Sequence, residues 1–286
     1  MPNLKDIQRR ITSVKKTQQI TRAMRMVAGA KLRRAQDTST AAKPYAERMR
    51  ATLLEVARTQ TQAGHPLLEV RDTVEKVEVI VVTSDRGLCG AFNSNLLKLA
   101  SAVIEEREVA GAEVVITTAG KKARDFFRRR RPGQLGEDHP QAGWVTYGQA
   151  TEIARGISER YAEGTIDEAV LIYSDFVSAM TQVPVRGTLL PFSSDGGGET
   201  DSPPYEIEPN APALLSMLAP KAVEVEIYKA LLENQTGEHA ARMAAMESAT
   251  RNTEELVDSL TLQFNRARQA AITRELVEIV SGAEAL

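Results

Sequence analysis

Residues 3–16 read NLKDIQRRITSVKK, and their apolar side chains fall at Leu4, Ile7, Ile11 and Val14. Steps of three and four put all four on one stripe of an α-helix, the seam of a heptad repeat. The stripe drifts and resumes at Ile20, Met24 and Val27, then at Tyr45, Met49, Leu53 and Val56, so a long amphipathic helix is expected, bent near Pro44. At the other end no proline occurs from Lys221 to Leu286, and Val257, Leu260, Phe264, Ala267 and Ala271 repeat the same step. Sixty-six residues at about 1.5 Å each make a rod on the order of 100 Å. No compact domain of this size buries such a rod along its length. Two seamed helices at opposite ends of a chain pack most simply as an antiparallel coiled coil.

Between the helices the texture changes to short β-branched runs, VEVIVVT from 77, EVVITT from 113 and EAVLIYS from 168, alternating with helical stretches. QVPVRGTLLP at 182–191 carries Pro184 and reads as an edge strand. The expected fold class is therefore α/β: two long terminal helices forming an antiparallel coiled coil, with an inserted Rossmann-like open α/β sheet domain. The expected boundaries are 1–60 for the N-terminal helix, 75–192 for the sheet domain, 193–210 for a linker rich in Gly and Ser, and 211–286 for the C-terminal helix.

With 42% hydrophobic and 26% charged residues in 286, the composition is that of a folded globular protein. Lys+Arg 36 against Asp+Glu 38 leaves a formal charge of −2, so bulk charge recruits no nucleic acid. Cys89 is the only cysteine and the three histidines are far apart, which removes an internal disulfide and the spacing of a zinc site. No apolar run approaches the roughly 20 residues of a membrane span.

The loop TSDRGLCGAFN, following the first strand, has the shape of an anion-binding strand-to-helix turn but lacks the full glycine fingerprint of either nucleotide motif. Gly87 and Gly90 are expected to serve a tight turn braced by Asp85 and Arg86, with Asn93 or Ser94 capping the next helix. Cys89 reads as a buried small residue, and Trp144 and Tyr147 as a cover for a sheet edge. Between Asp6 and Asp37 lie nine cations and no acid, without the interleaved aromatics that stack bases. FFRRRRPG at 126–133 reads as a solvated helix end. Gly29, inside the first helix, suggests close approach of a neighbouring backbone. A nucleotide-binding enzyme and a basic coiled-coil nucleic-acid binder are the two rival readings.

ITSVKKTQQITRAMRMVAGAKLRRAQ at 11–36 and NRARQAAITRELVEIVSGAEA at 265–285 resemble the two ends of the gamma subunit of the rotary ATP synthase. Within the second, Ile272, Thr273, Glu275, Glu278, Gly282 and Ala283 match that family's signature. TSDRGLCGAFN and FVSAMTQVPVRGTLLP are similar to its central domain, so the likeness covers nearly the whole chain. Gly29 stands where the family usually has alanine, Arg25 is at a variable position, and the run at 128–131 is not a family feature.

The resemblance implies a rotor and not a catalyst, with no cofactor, no metal, no nucleic acid and no small-molecule substrate of its own. It implies a shaft inside a ring of alpha and beta subunits, a sheet domain touching the epsilon subunit and the membrane c-ring, and a place on the cytoplasmic face of a bacterial plasma membrane. Residue by residue, Arg242, Gln269 and Thr273 match positions that catch on a beta-subunit loop, and Met24 matches the shaft residue beside the beta lever. Ile272, Leu276, Ile279 and Val280 form an apolar bearing, and Tyr205 falls in the region that meets the c-ring.

Overall fold

The computed structural model describes residues 4–59, 65–141, 143–192, 208 and 210–284. Tyr205, and with it nearly all of the 193–210 stretch, lies outside the described residues. Two compact units share the chain, Met1–Gly29 with Arg242–Leu286, and Ala30–Ala241.

The N-terminal helix α1 spans Leu4–Thr59 and continues through Pro44, whose missing N–H and ring are tolerated at a solvent-exposed position. After it come β1 (Lys76–Val82), α2 (Phe92–Val109), β2 (Glu113–Ala119), α3 (Lys121–Arg130), β3 (Leu135–His139), α4 (Tyr147–Ala162), β4 (Glu168–Phe176) and β5 (Gln182–Leu190). The C-terminal helix α5 runs from Ala211 to Glu284.

In the larger unit the strands form one sheet of order β3-β2-β1-β4-β5. All neighbours are parallel except β4 and β5, and Pro184 sits on the β5 edge opposite Ser174, where a strand can do without one N–H. Val79 to Val82 are at most 1% exposed, as a strand covered on both faces requires. Alternation sends Val77, Val79 and Val81 to a core shared with α2 and α3, and Ile80 and Val82 to one shared with α4 and the nearer parts of α1 and α5. Strand β3, LGEDH, is invisible to a hydrophobic pattern because it is a half-exposed edge. Polar pairing holds it, with Thr118 donating to Asp138 at 2.9 Å and Arg124 reaching the same carboxylate at 3.3 Å.

The arginine run ends α3 as expected, with cations in the last turn where the helix dipole favours them. Arg131 hydrogen-bonds Glu108 at 2.6 Å, Arg128 lies 3.7 Å from Asp125, and Arg130 stands over the Phe126 ring.

Candidate functional site

In the smaller unit α1 and α5 form a heptad pair. Thr250 donates to Thr21 at 2.8 Å, Arg25 lies 3.6 Å from Glu247, and a Cβ on Gly29 would stand 3.4 Å from the Met243 sulfur. As one partner steps forward the other steps back, so the helices are antiparallel. The close neighbour of Gly29 is thus a side chain and not a backbone.

The predicted seam holds at both ends and shifts in between. Ile7 and Leu260 are buried, with Ile11, Val14, Val257, Phe264, Ala267 and Ala271 half-buried. Ile20 and Val27, by contrast, are more than half exposed, as is Tyr45 farther along α1. Between Val14 and Met49 the buried positions of α1 are instead Thr21, Ala28, Leu32, Ala35 and Ala46, which keep the helical repeat through mostly smaller residues. A hydrophobicity count follows the larger side chains; the helices meet where side chains are small. Each buried threonine hydroxyl in the Thr21–Thr250 pair finds a partner, so the pair fixes the register of the seam.

By this register Leu4 stands opposite the α5 turn near residue 267. Beyond about residue 271, no described α1 turn flanks α5. That is where the apolar residues Ile272, Leu276, Val277, Ile279 and Val280 are 50 to 69% exposed. Gln269 and Thr273 share one exposed face, joined by the Thr273 hydroxyl donating to the Gln269 carbonyl at 3.0 Å. Arg242 and Met24 are half-buried, and Arg242 lies about 40 Å from Gln269 along the helix, so the structure does not gather the three catch positions into one site. The cations of α1 are mostly exposed. Where paired in this unit they are held loosely, Arg9 to Asp6 at 3.9 Å, and such pairs contribute little singly.

In the larger unit the strand order reverses between β1 and β4, the place where open α/β sheets hold ligands outside their strand ends. Here the loop is bound to itself. Asp85 accepts the Lys121 and Gln141 amides at 2.9 and 3.1 Å and so braces two segments, while the Arg86 carbonyl accepts the Ser84 hydroxyl at 2.6 Å. Leu88 takes a left-handed φ of 63° beside Gly90 at 59°, so Leu88 and not Gly87 shares the turn with Gly90. Helix α2 begins at Phe92 with Ala91 at its cap; Asn93, the expected cap, accepts the Ser84 amide at 3.0 Å. Cys89 is 2% exposed, as expected of a buried small residue. Helix α5 closes the crevice: a Cβ on Gly237 would stand 3.0 Å from the Phe92 ring and 3.2 Å from the Ser174 hydroxyl.

Three polar groupings escaped the sequence reading. On β1, Glu78 is fully buried and receives both the Nε and the NH2 group of Arg160 at 2.9 and 2.7 Å, plus the Thr117 hydroxyl at 2.6 Å. Burial opposes the Arg160 charge, but the Glu78 carboxylate overrides it and holds the guanidinium above its ordinary pKa. Tyr147 donates to Glu224 at 2.5 Å, and Trp144 packs edge-on against His239, so both aromatics cover α5 and not a sheet edge. On α5, Glu233 is 5% exposed, and burial pushes its carboxyl up to about 7, with Asp175 and Glu226 adding to the shift and Lys229 and Lys43 opposing it. The one cue for Glu78 was a charge inside an otherwise apolar strand, VEVIVV; Glu233 opens the polar run ENQTGEH, which by pattern alone looks solvent-facing.

A heptad helix pair joined to an open five-stranded sheet defines the class: an α/β protein whose terminal helices form a coiled coil. A family model described as ATP synthase matches residues 3–286. Over 293 residues the chain is 46% identical to the ATP synthase gamma chain of Pelotomaculum thermopropionicum, covering 100% of both. The gamma chain of Heliobacterium modesticaldum is 44% identical with the same coverage. Among solved structures, a chain of the Euglena gracilis mitochondrial ATP synthase, rotational state 3, superposes with a TM-score of 0.69 at 21% identity, covering 99% of this chain and 94% of that one. The chain belongs to the ATP synthase gamma chain family and is a subunit of that complex.

Proposed function

We propose that the chain is the rotor shaft that carries torque between a membrane c-ring and a catalytic hexamer of alpha and beta subunits. The observation that carries this reading is the end of α5, where Ile272, Leu276, Ile279 and Val280 stand exposed past the register of α1. An apolar surface of this kind on a folded chain marks a partner, and contacts without directional hydrogen bonds let a shaft turn in a sleeve. Gln269 and Thr273, on one exposed face of the same helix, would form a catch for a beta-subunit loop, with Arg242 a separate contact about 40 Å along. Met24, half-buried on α1, would stand beside the beta lever. The exposed cations of α1 suit an acidic loop passing over them, each contact weak enough to break as the shaft moves.

The sheet unit would meet the epsilon subunit and the c-ring, the latter around Tyr205, and would hold the chain peripherally on the cytoplasmic face of the membrane. No helix among the described residues is long and apolar enough to cross a membrane, so this attachment would run through partners. Purified alpha and beta subunits test the reading. They should form a complex whose ATP hydrolysis depends on this chain, and activity that ignores it would refute the proposal. Calorimetric binding of nucleotide to the isolated chain would favour the rival enzyme reading.

A further inference from the structure

A shaft must be free to turn at its bearing and unable to turn at its grip, and the two demands call for opposite chemistry. Apolar contact is non-directional and leaves rotation about the helix axis soft, whereas a hydrogen bond fixes an angle. The bearing end of α5 is apolar. The stretch 231–240 is the reverse: almost every residue in it is buried, so the helix is enclosed on all sides, and five of the buried residues are polar.

One short segment holds it. The Gln235 side-chain amide donates to the Gly143 carbonyl at 2.9 Å, and its oxygen accepts the Val145 amide at 3.4 Å. Between those two points Trp144 lies edge-on to His239 of α5 at 5.9 Å and beneath the Arg34 guanidinium of α1 at 4.3 Å. Residues 143–145 thus touch both terminal helices within the larger unit, through groups that define an angle. On the opposite side Gly237 brings the α5 backbone against Phe92 and Ser174, where any side chain would hold the helix away.

We infer that residues 143–145, acting on Gln235 and His239, are a clasp that fixes the rotational setting of α5 in the sheet unit, so that torque applied to that unit enters the helix without slip. This rests on the rotor reading. Gln235 and Trp144 are then positioning residues: they touch no reacting group, and their effect should appear only under load.

The test uses the complete complex in sealed vesicles, carrying Gln235→Met, Trp144→Ala or Trp144→Phe. ATP hydrolysis without a gradient measures unloaded turning, and ATP synthesis against a poised phosphate potential measures loaded turning. Losing the two Gln235 amide bonds should cut loaded synthesis about tenfold while leaving unloaded hydrolysis within about twofold. Trp144→Phe, which keeps an aromatic ring between Arg34 and His239, should recover most of the synthesis lost in Trp144→Ala. An unchanged ratio of synthesis to hydrolysis overturns the clasp, and so does a parallel fall in both, the mark of a merely structural role. If Trp144→Ala fails to assemble, the other two variants decide by the same ratio. A wild-type complex that hydrolyses ATP without coupling it to the gradient refutes the rotor reading instead.

Discussion

Replacing Arg160 with methionine removes the counter-charge of a carboxylate that has no access to water. Glu78 is 0% exposed and keeps only the Thr117 hydroxyl once the guanidinium is gone. Breaking a buried pair from one side costs about 3–5 kcal/mol, because the remaining charge is left without compensation. The third contact of Arg160, to Glu137 at 2.7 Å, adds little, since that carboxylate is 45% exposed and water replaces the partner. An expected loss of about 4 kcal/mol at a urea slope of about 2 kcal/mol/M moves the unfolding midpoint down by about 2 M. Trp144, the only tryptophan, lies in the same unit and supplies the fluorescence signal in the full chain. Arg160→Lys should recover only part, because an ammonium cannot span both Glu78 oxygens. Converting both residues to methionine should restore stability to within about 1 kcal/mol of the wild type, as apolar replacements of a buried pair commonly do. A cost below about 1 kcal/mol for Arg160→Met, or a double variant as unstable as the single, would mean that Glu78 does not depend on Arg160 as a buried counter-charge.

Three further outcomes are expected. Glu233 has a folded-state pKa raised to about 7 from an ordinary 4.5, so the stability it contributes is complete below pH 4.5 and is lost as pH rises through 7. Urea midpoints between pH 5 and 8 should therefore fall by the equivalent of about 2 kcal/mol in the wild type, discounted for residual solvent, and Glu233→Gln should flatten that component; parallel profiles for the two would count against it. Gly237→Val should cost about 2 kcal/mol by overpacking against Phe92 and Ser174, measured by urea unfolding of the full chain, and a neutral result would mean that α5 does not close the crevice as described. Removing the Arg242, Gln269 and Thr273 side chains together should lower ATP synthesis in vesicles several-fold while changing the unfolding free energy by less than about 1 kcal/mol, because two of the three are exposed; unchanged synthesis would remove them as catch contacts.

Much of the fold was legible because its signals are local. The three-four step from Leu4 to Val14 and from Val257 to Ala271 is a property of each helix alone, and both seams stand as read. The β-branched runs became the central strands, and Pro184 marked an edge before any partner was known. Where a position depends on what faces it, the reading drifted. Ile20 and Val27 were placed in the seam for their size, yet a closely packed partner helix selects Thr21 and Ala28. Strand β3 offered no apolar alternation because ion pairs and a neighbouring strand hold it in place.

Two heptad helices flanking an open α/β domain, the apolar end of α5 and, through the family signature, the kind of machine the chain belongs to can all be read from the residues in order. Periodicity and motif are written along one strand of chain and need no partner to be read. What the three-dimensional packing alone settles is that the apolar end of α5 lies past the described turns of α1, that α5 fills the crevice at the β1/β4 reversal, and that Glu78 meets Arg160 and Gln235 meets residues 143–145. Each of these joins residues far apart in the chain, and buried polar groups find their partners through the geometry of the whole fold.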